Sequence, residues 1–168
     1  MVDRTVTSTV EIDAPVEAVF DYAEDPQRAE EAIQASASGR FSHISNVRTD
    51  PDGRVTSYQL VTPIGLGRLR YDYVITMTRL ETIPNRRIVE RQSNGPLQTD
   101  TFEPSGTGTR YTHTMQYTTR FPLLDSIGKF VITAGRGMQW TLDDGVAAVK
   151  KTLEADLADR PVSRRPRT

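Results

Sequence analysis

The chain has 168 residues, 36% of them hydrophobic and 26% charged, and a formal net charge of −1. That length and composition suit one soluble domain with a core of its own and exclude a disordered chain, which has too little apolar surface to offset the entropy of ordering. With no cysteine present, disulfides, thiolate catalysis and cysteine-ligated metal centres are excluded.

The first ten residues, MVDRTVTSTV, hold neither an unbroken apolar run nor a cleavage site, and no later segment approaches the length of a membrane span. No membrane insertion and a cytoplasmic location are therefore expected. From Thr5 to Ala14 the pattern has period two, with Val6, Ser8, Val10 and Ile12 on one face and Thr5, Thr7, Thr9 and Glu11 on the other. This predicts a strand buried on one side.

Helical spacing follows at once. Asp13 is suited to cap, Pro15 to the first turn, and Val16, Val19 and Phe20 form an apolar stripe. A second short helix is predicted from about Pro26 to Ala35. Between Glu11 and Glu31 eight acidic residues face a single Arg28, a solvated helical surface or a site for a protein partner.

From Phe41 the chain reads as strands: Phe41 to Thr49, Arg54 to Thr62, Gly67 to Thr82, Arg86 to Ser93, Leu97 to Glu103 and Thr109 to Phe121. The intervening segments carry the Gly, Pro, Asn and Asp of tight turns, which implies an antiparallel meander. After Pro122, apolar residues from Leu123 to Leu157 recur at three- and four-residue steps, predicting one long amphipathic helix. Gly128, Gly135, Gly137 and Gly145 fall within it, and close packing on the sheet is the expected reason, a kink the alternative. The final residues, 159–168, carry four arginines and two prolines without periodicity, so the domain is expected to span 1–158 and to end in a basic disordered tail. No nucleic-acid partner is expected.

Two segments point to a family. Val10-Glu-Ile-Asp-Ala-Pro-Val-Glu-Ala-Val-Phe-Asp-Tyr22 resembles the opening of the START-like helix-grip superfamily, also called SRPBCC (polyketide cyclase/dehydrase and lipid transport), where a strand turns through an acidic-Ala-Pro step into a helix. Phe102-Glu-Pro-Ser-Gly-Thr-Gly-Thr-Arg-Tyr-Thr112 resembles the last hairpin of the same family. The resemblance covers Thr5 to about Ala158. It implies an α+β fold in which a curved antiparallel sheet of about seven strands wraps a long C-terminal helix, with two short helices after the first strand. Within the superfamily are lipid carriers, hormone receptors and aromatase/cyclases, so the resemblance leaves the chemistry open.

Strand parity nominates the lining of a cavity between sheet and helix. Tyr111, His113, Met115 and Tyr117 share one face of the last strand; Tyr71, Tyr73 and Met77 share one face of the third sheet strand; Met138 lies on the helix stripe. These residues either pack as an ordinary core or line a site for a small hydrophobic or aromatic ligand, lipid-, quinone- or polyketide-like. His113, with Tyr111 and Tyr117, is the candidate for acid–base chemistry, against the alternative of a hydrogen-bonded structural histidine. Parity leaves Glu90 facing either the cavity, where it would pair with His113, or water, and a charged residue is expected to face water. His43 is the only other histidine, which argues against a metal, and no cofactor fingerprint is present. A ligand-binding protein is the leading expectation, a cyclase or dehydratase the second, and an interaction module using the acidic helices the third. Oligomeric state is left open.

Overall fold

A computed structural model of the chain describes residues 2–66, 69–119 and 137–159. In chain order these form β1 (Val2–Ile12), α1 (Val16–Glu24), α2 (Pro26–Ala35), β2 (His43–Thr49), β3 (Val55–Leu66), β4 (Leu69–Ile83), β5 (Arg87–Gln92), β6 (Leu97–Ser105), β7 (Gly108–Thr119) and α3 (Met138–Asp159). All seven strands belong to one sheet of order β1-β7-β6-β5-β4-β3-β2, every pair antiparallel. This is the expected helix-grip arrangement of meander, two short helices and C-terminal helix. The first half of the expected long helix, and the basic tail beyond residue 159, lie outside the described residues.

Local chemistry explains most boundaries. Asp25 caps α2 by accepting from the Gln27 amide at 2.9 Å, with Pro26 in the first turn. The β6–β7 hairpin turns through Gly106 at φ +59°. At Gly108 a Cβ would stand only 2.3 Å from the Ile12 carbonyl oxygen, so the hairpin can lie against the end of β1 only without a side chain there. The buried Thr109 hydroxyl completes this junction by donating to the Ala14 carbonyl at 2.7 Å.

One face of the sheet holds the core. Ile12, Phe20, Tyr22, Ile88, Phe102, Tyr111, Val146 and Leu153 pack together, drawn from the end of β1, α1, the strands β5 to β7 and α3. The Phe102 ring meets Phe20 edge-on and Tyr111 stacked, each with centroids 5.4 Å apart, arrangements worth about 0.5–1.5 kcal/mol beyond the area they bury. The other face is polar, with Thr7 bonded to Thr114 at 3.2 Å and Thr9 to Thr112 at 3.0 Å across β1 and β7. Helix α3 is fixed by polar contacts: Tyr22 Oη donates to Thr152 Oγ1 at 2.7 Å, Lys150 Nζ to the Glu11 carbonyl at 2.6 Å, and Asp144 Oδ2 accepts from the Ala37 amide at 2.7 Å.

Three readings of the sequence need correction. Pro63, expected in a turn, pairs with Asp72 inside the β3–β4 ladder. The β2 pairing ends at His43↔Val61, so beyond it no strand among the described residues pairs with that edge of β3, and the missing N–H costs no ladder bond there. Gly137 precedes α3 at φ +88° instead of lying within it. Gly145 is inside α3, but a Cβ there would meet nothing within 4 Å, so close packing on the sheet is not its reason.

Candidate functional site

The concave face of the sheet carries a row of buried polar side chains among its apolar ones. On β5, parity places Ile88, Glu90 and Gln92 inward, and all three are buried. Glu90 is 4% exposed, which overturns the expectation that it faces water. Its carboxylate is held by the guanidinium of Arg79, with Nε at 3.1 Å and Nη2 at 2.9 Å on Oε1, while Tyr58 Oη donates to Oε2 at 2.8 Å. Sufficient hydrogen bonding and a paired cation are what permit a charge to be buried. Glu90 therefore pairs with Arg79 and Tyr58 in place of the expected His113.

Arg79 shares the inward face of β4 with the buried Met77 two residues before it, and a register shift follows between Arg79 and Glu81. The β4–β5 ladder pairs Arg79 with Glu90, then skips to Glu81 opposite Val89, leaving Leu80 as the extra residue. Such a bulge changes which face the following side chains occupy. Glu81 is thereby turned outward, where it pairs with Arg87 at 2.7 Å. The Arg79 Nη1 also donates to the Glu24 carbonyl at 3.3 Å, satisfying a carbonyl at the C-terminus of α1 and tying that helix to the sheet.

Beside this cluster stands a second. Asp100 on β6 and His113 on β7 are register partners, and His113 Nδ1 lies 2.6 Å from Asp100 Oδ1. The same oxygen accepts from Tyr111 Oη at 2.7 Å. Tyr111 thus has its ring in the core and its hydroxyl in the polar network. The side chains of His113 and Asp100 remain 17% and 15% exposed.

The two clusters interact electrostatically. Burial raises the Glu90 carboxyl above the ordinary carboxylate range, and the charge of Asp100 adds to this; Arg79 and the Tyr58 hydrogen bond oppose it without cancelling it. For His113 burial disfavours the imidazolium, yet the Asp100 charge, the hydrogen bond to it and the charge of Glu90 outweigh burial and raise the pKa above its ordinary value. Burial, with Glu90 for one and Asp100 for the other, pushes Tyr58 and Tyr111 well above the phenol range. Both tyrosines are neutral donors at physiological pH.

Of the residues nominated by parity, Met77, Tyr111 and Met115 are buried, and Tyr73, His113, Tyr117 and Met138 are half-buried. Tyr71 is 68% exposed at the far end of β4 and takes no part in the buried network. Tyr73 is bonded to Asn94 at 3.1 Å. Sequence reasoning missed Asp100, Arg79 and Tyr58. For Asp100 a signal existed: it alternates with the apolar Phe102, which puts a carboxylate on the core side of β6. Two surface clefts lie elsewhere, one of about 300 Å³ between α1 and α3 and one of about 610 Å³ beside Arg86, Arg87 and Pro104. Neither touches Glu90, Asp100 or His113. Converging buried titratable groups make the concave face the better candidate.

Among the described residues no helix is long and apolar enough to cross a membrane, and no group of three or more His, Asp or Glu side chains is placed to hold a metal ion.

The family model described as polyketide cyclase / dehydrase and lipid transport matches residues 3–154. No curated protein matches the chain. Among solved structures, the protein TTHA0849 from Thermus thermophilus superposes with a TM-score of 0.62 at 15% identity, over 91% of this chain and 99% of that one. The AHSA1-like protein from Aeromonas hydrophila gives 0.56 at 20% identity, over 96% and 100% of the two chains. The di-domain ARO/CYC StfQ from the steffimycin biosynthetic pathway gives 0.64 at 12% identity, with 93% of this chain covering 52% of that one. At these identities the likeness is one of fold.

Proposed function

The chain belongs to the polyketide cyclase / dehydrase and lipid transport family, and from that premise we propose that it binds a small, largely apolar or aromatic molecule against the concave face of the sheet, under the C-terminal helix. One observation carries this reading: Asp100, His113 and Tyr111 form a hydrogen-bonded set that is only partly exposed, and the buried Met115 follows His113 on the same face of β7. A few oriented polar groups in an apolar lining are what a site for such a ligand requires. The protein is proposed to act as a single domain in the cytoplasm, as a carrier or receptor of lipid-, quinone- or polyketide-like compounds.

Native mass spectrometry of the protein purified without denaturation tests this. The expected result is mass beyond that of the chain, released on unfolding and identified as an apolar or aromatic compound. A compound that binds equally well to the unsubstituted protein and to Met115→Arg would remove the concave face as its site.

A second reading is favoured by the contact between His113 Nδ1 and Asp100. A carboxylate orienting an imidazole leaves the other ring nitrogen to act as general acid or base, and a solved structure of similar fold is an ARO/CYC protein. Under this reading the protein is a cyclase or dehydratase, His113 moves a proton on the bound substrate, and Asp100 is a positioning residue. Turnover of a compound recovered by mass spectrometry, lost in His113→Ala while binding persists, would establish it. Unchanged turnover in that variant would exclude it.

A further inference from the structure

The hydrogen-bonding polarity of the site narrows the class of ligand it takes, given the binding reading above. Each tyrosine hydroxyl has one proton to donate. Tyr111 donates its proton to Asp100 Oδ1 at 2.7 Å and Tyr58 donates its own to Glu90 Oε2 at 2.8 Å. Neither can donate to a ligand carbonyl. Arg79 spends Nε and Nη2 on Glu90 and Nη1 on the Glu24 carbonyl, and its side chain is only 7% exposed. Gln92, buried on the same face, has an amide able to serve a donor or an acceptor, so it does not discriminate.

His113 does discriminate. A carboxylate only accepts, so the 2.6 Å contact with Asp100 Oδ1 fixes the proton on Nδ1. Above its titration midpoint the neutral ring carries a lone pair on Nε2, to which no described residue donates; below it the imidazolium donates from Nε2 instead. Asp100 on β6 and Glu90 on β5, with Arg79 on β4 as the only cation of the network, are the charged groups that make this ring more basic than an ordinary histidine.

We propose that the site recognises a single weakly acidic hydroxyl, a phenol or an enol, which donates its hydrogen bond to His113 Nε2 while the apolar remainder of the molecule lies along the sheet. An ether or ketone of the same shape brings no proton and leaves Nε2 unpaired. A site built around a hydroxyl rejects the analogue lacking it far more strongly than an apolar pocket rejects a change of size.

The test is titration calorimetry with 2-naphthol, 2-methoxynaphthalene and 2-acetonaphthone at a pH above the His113 titration midpoint. We expect 2-naphthol to bind at least about tenfold more tightly than either analogue, and the difference to vanish in His113→Phe. Equal affinities in the unsubstituted protein would overturn the proposal without any variant, so it stays testable if His113→Phe does not fold. A preference for 2-naphthol that survives in a folded His113→Phe would overturn it as well. If the three probes bind equally, binding of aromatics stands and recognition of the hydroxyl falls; if none binds, both fall.

Discussion

His113 and Asp100 face each other across the β6–β7 ladder as register partners, Nδ1 to Oδ1 at 2.6 Å. Because the same oxygen takes the Tyr111 hydroxyl, one carboxylate sets the orientation of two side chains that parity alone had placed on a common face.

Replacing that carboxylate removes the Asp100 charge and hydrogen bond, which counter burial at His113. In Asp100→Asn the His113 pKa falls, read as a lower midpoint of its ring protons in an NMR titration. A midpoint that stays in place would mean that Glu90 alone maintains it.

Stability depends on pH through the same ring. A histidine whose folded pKa lies above its unfolded value stabilises the fold fully below the unfolded value of 6.5 and loses that contribution as pH rises through the folded pKa. Glu90, also raised, adds a loss of the same sign as pH rises above 4.5. Thermal melting should therefore show stability declining as pH rises from about 6.5 through the His113 titration, with a shallower decline in His113→Phe. A rise over this interval would contradict the assignment.

Arg79 and Glu90 are 7% and 6% exposed as side chains, and removing one member of a buried pair leaves the other charge uncompensated. Arg79→Met is expected to cost about 3–5 kcal/mol, and the double variant Arg79→Met/Glu90→Gln less than Arg79→Met alone. Urea unfolding of the two variants measures this. Equal losses would mean that the pair is solvated in solution.

Two glycines should respond to alanine with opposite signs. Gly145 sits inside α3 with nothing within 4 Å of a Cβ, so Gly145→Ala should stabilise by about 0.5–1 kcal/mol. At Gly108 the Cβ would press on the Ile12 carbonyl at 2.3 Å, and Gly108→Ala should destabilise by about 1–3 kcal/mol. Denaturant midpoints for the pair decide both.

The elements were legible because periodicity is a local property. The alternation of Val6, Ser8, Val10 and Ile12, the turn through Ala14-Pro15, and the three- and four-residue steps of the last helix each lie within a few residues. The polar network was not legible because it depends on pairing between strands. Parity groups Ile88, Glu90 and Gln92, and Ile88 favoured the inward choice; what makes Glu90 tolerable there is Arg79 on β4 and Tyr58 on β3. Arg79 and Glu81 take opposite faces through a bulge that no single-strand pattern announces. Histidine and tyrosine drew notice by residue type, whereas Asp100 was marked only by its alternation with Phe102, and its partner became visible once its register opposite His113 was known.

The junction at Gly108, Thr109 and Ile12 gives the concave face a floor. There the hairpin tip is clamped against the end of β1, and the position of Tyr111, next inward along β7, is filled by its ring stacking on Phe102. At the opposite end Tyr71 stands in solvent. On β7, His113 lies towards that clamped end and Thr119 ends the strand at the other. About six residues of extended chain separate these two, roughly 20 Å. Under the proposed binding mode, a guest with its head at the imidazole would have about that length of strand for its body, so molecular length as well as head-group chemistry would sort the compounds that fit.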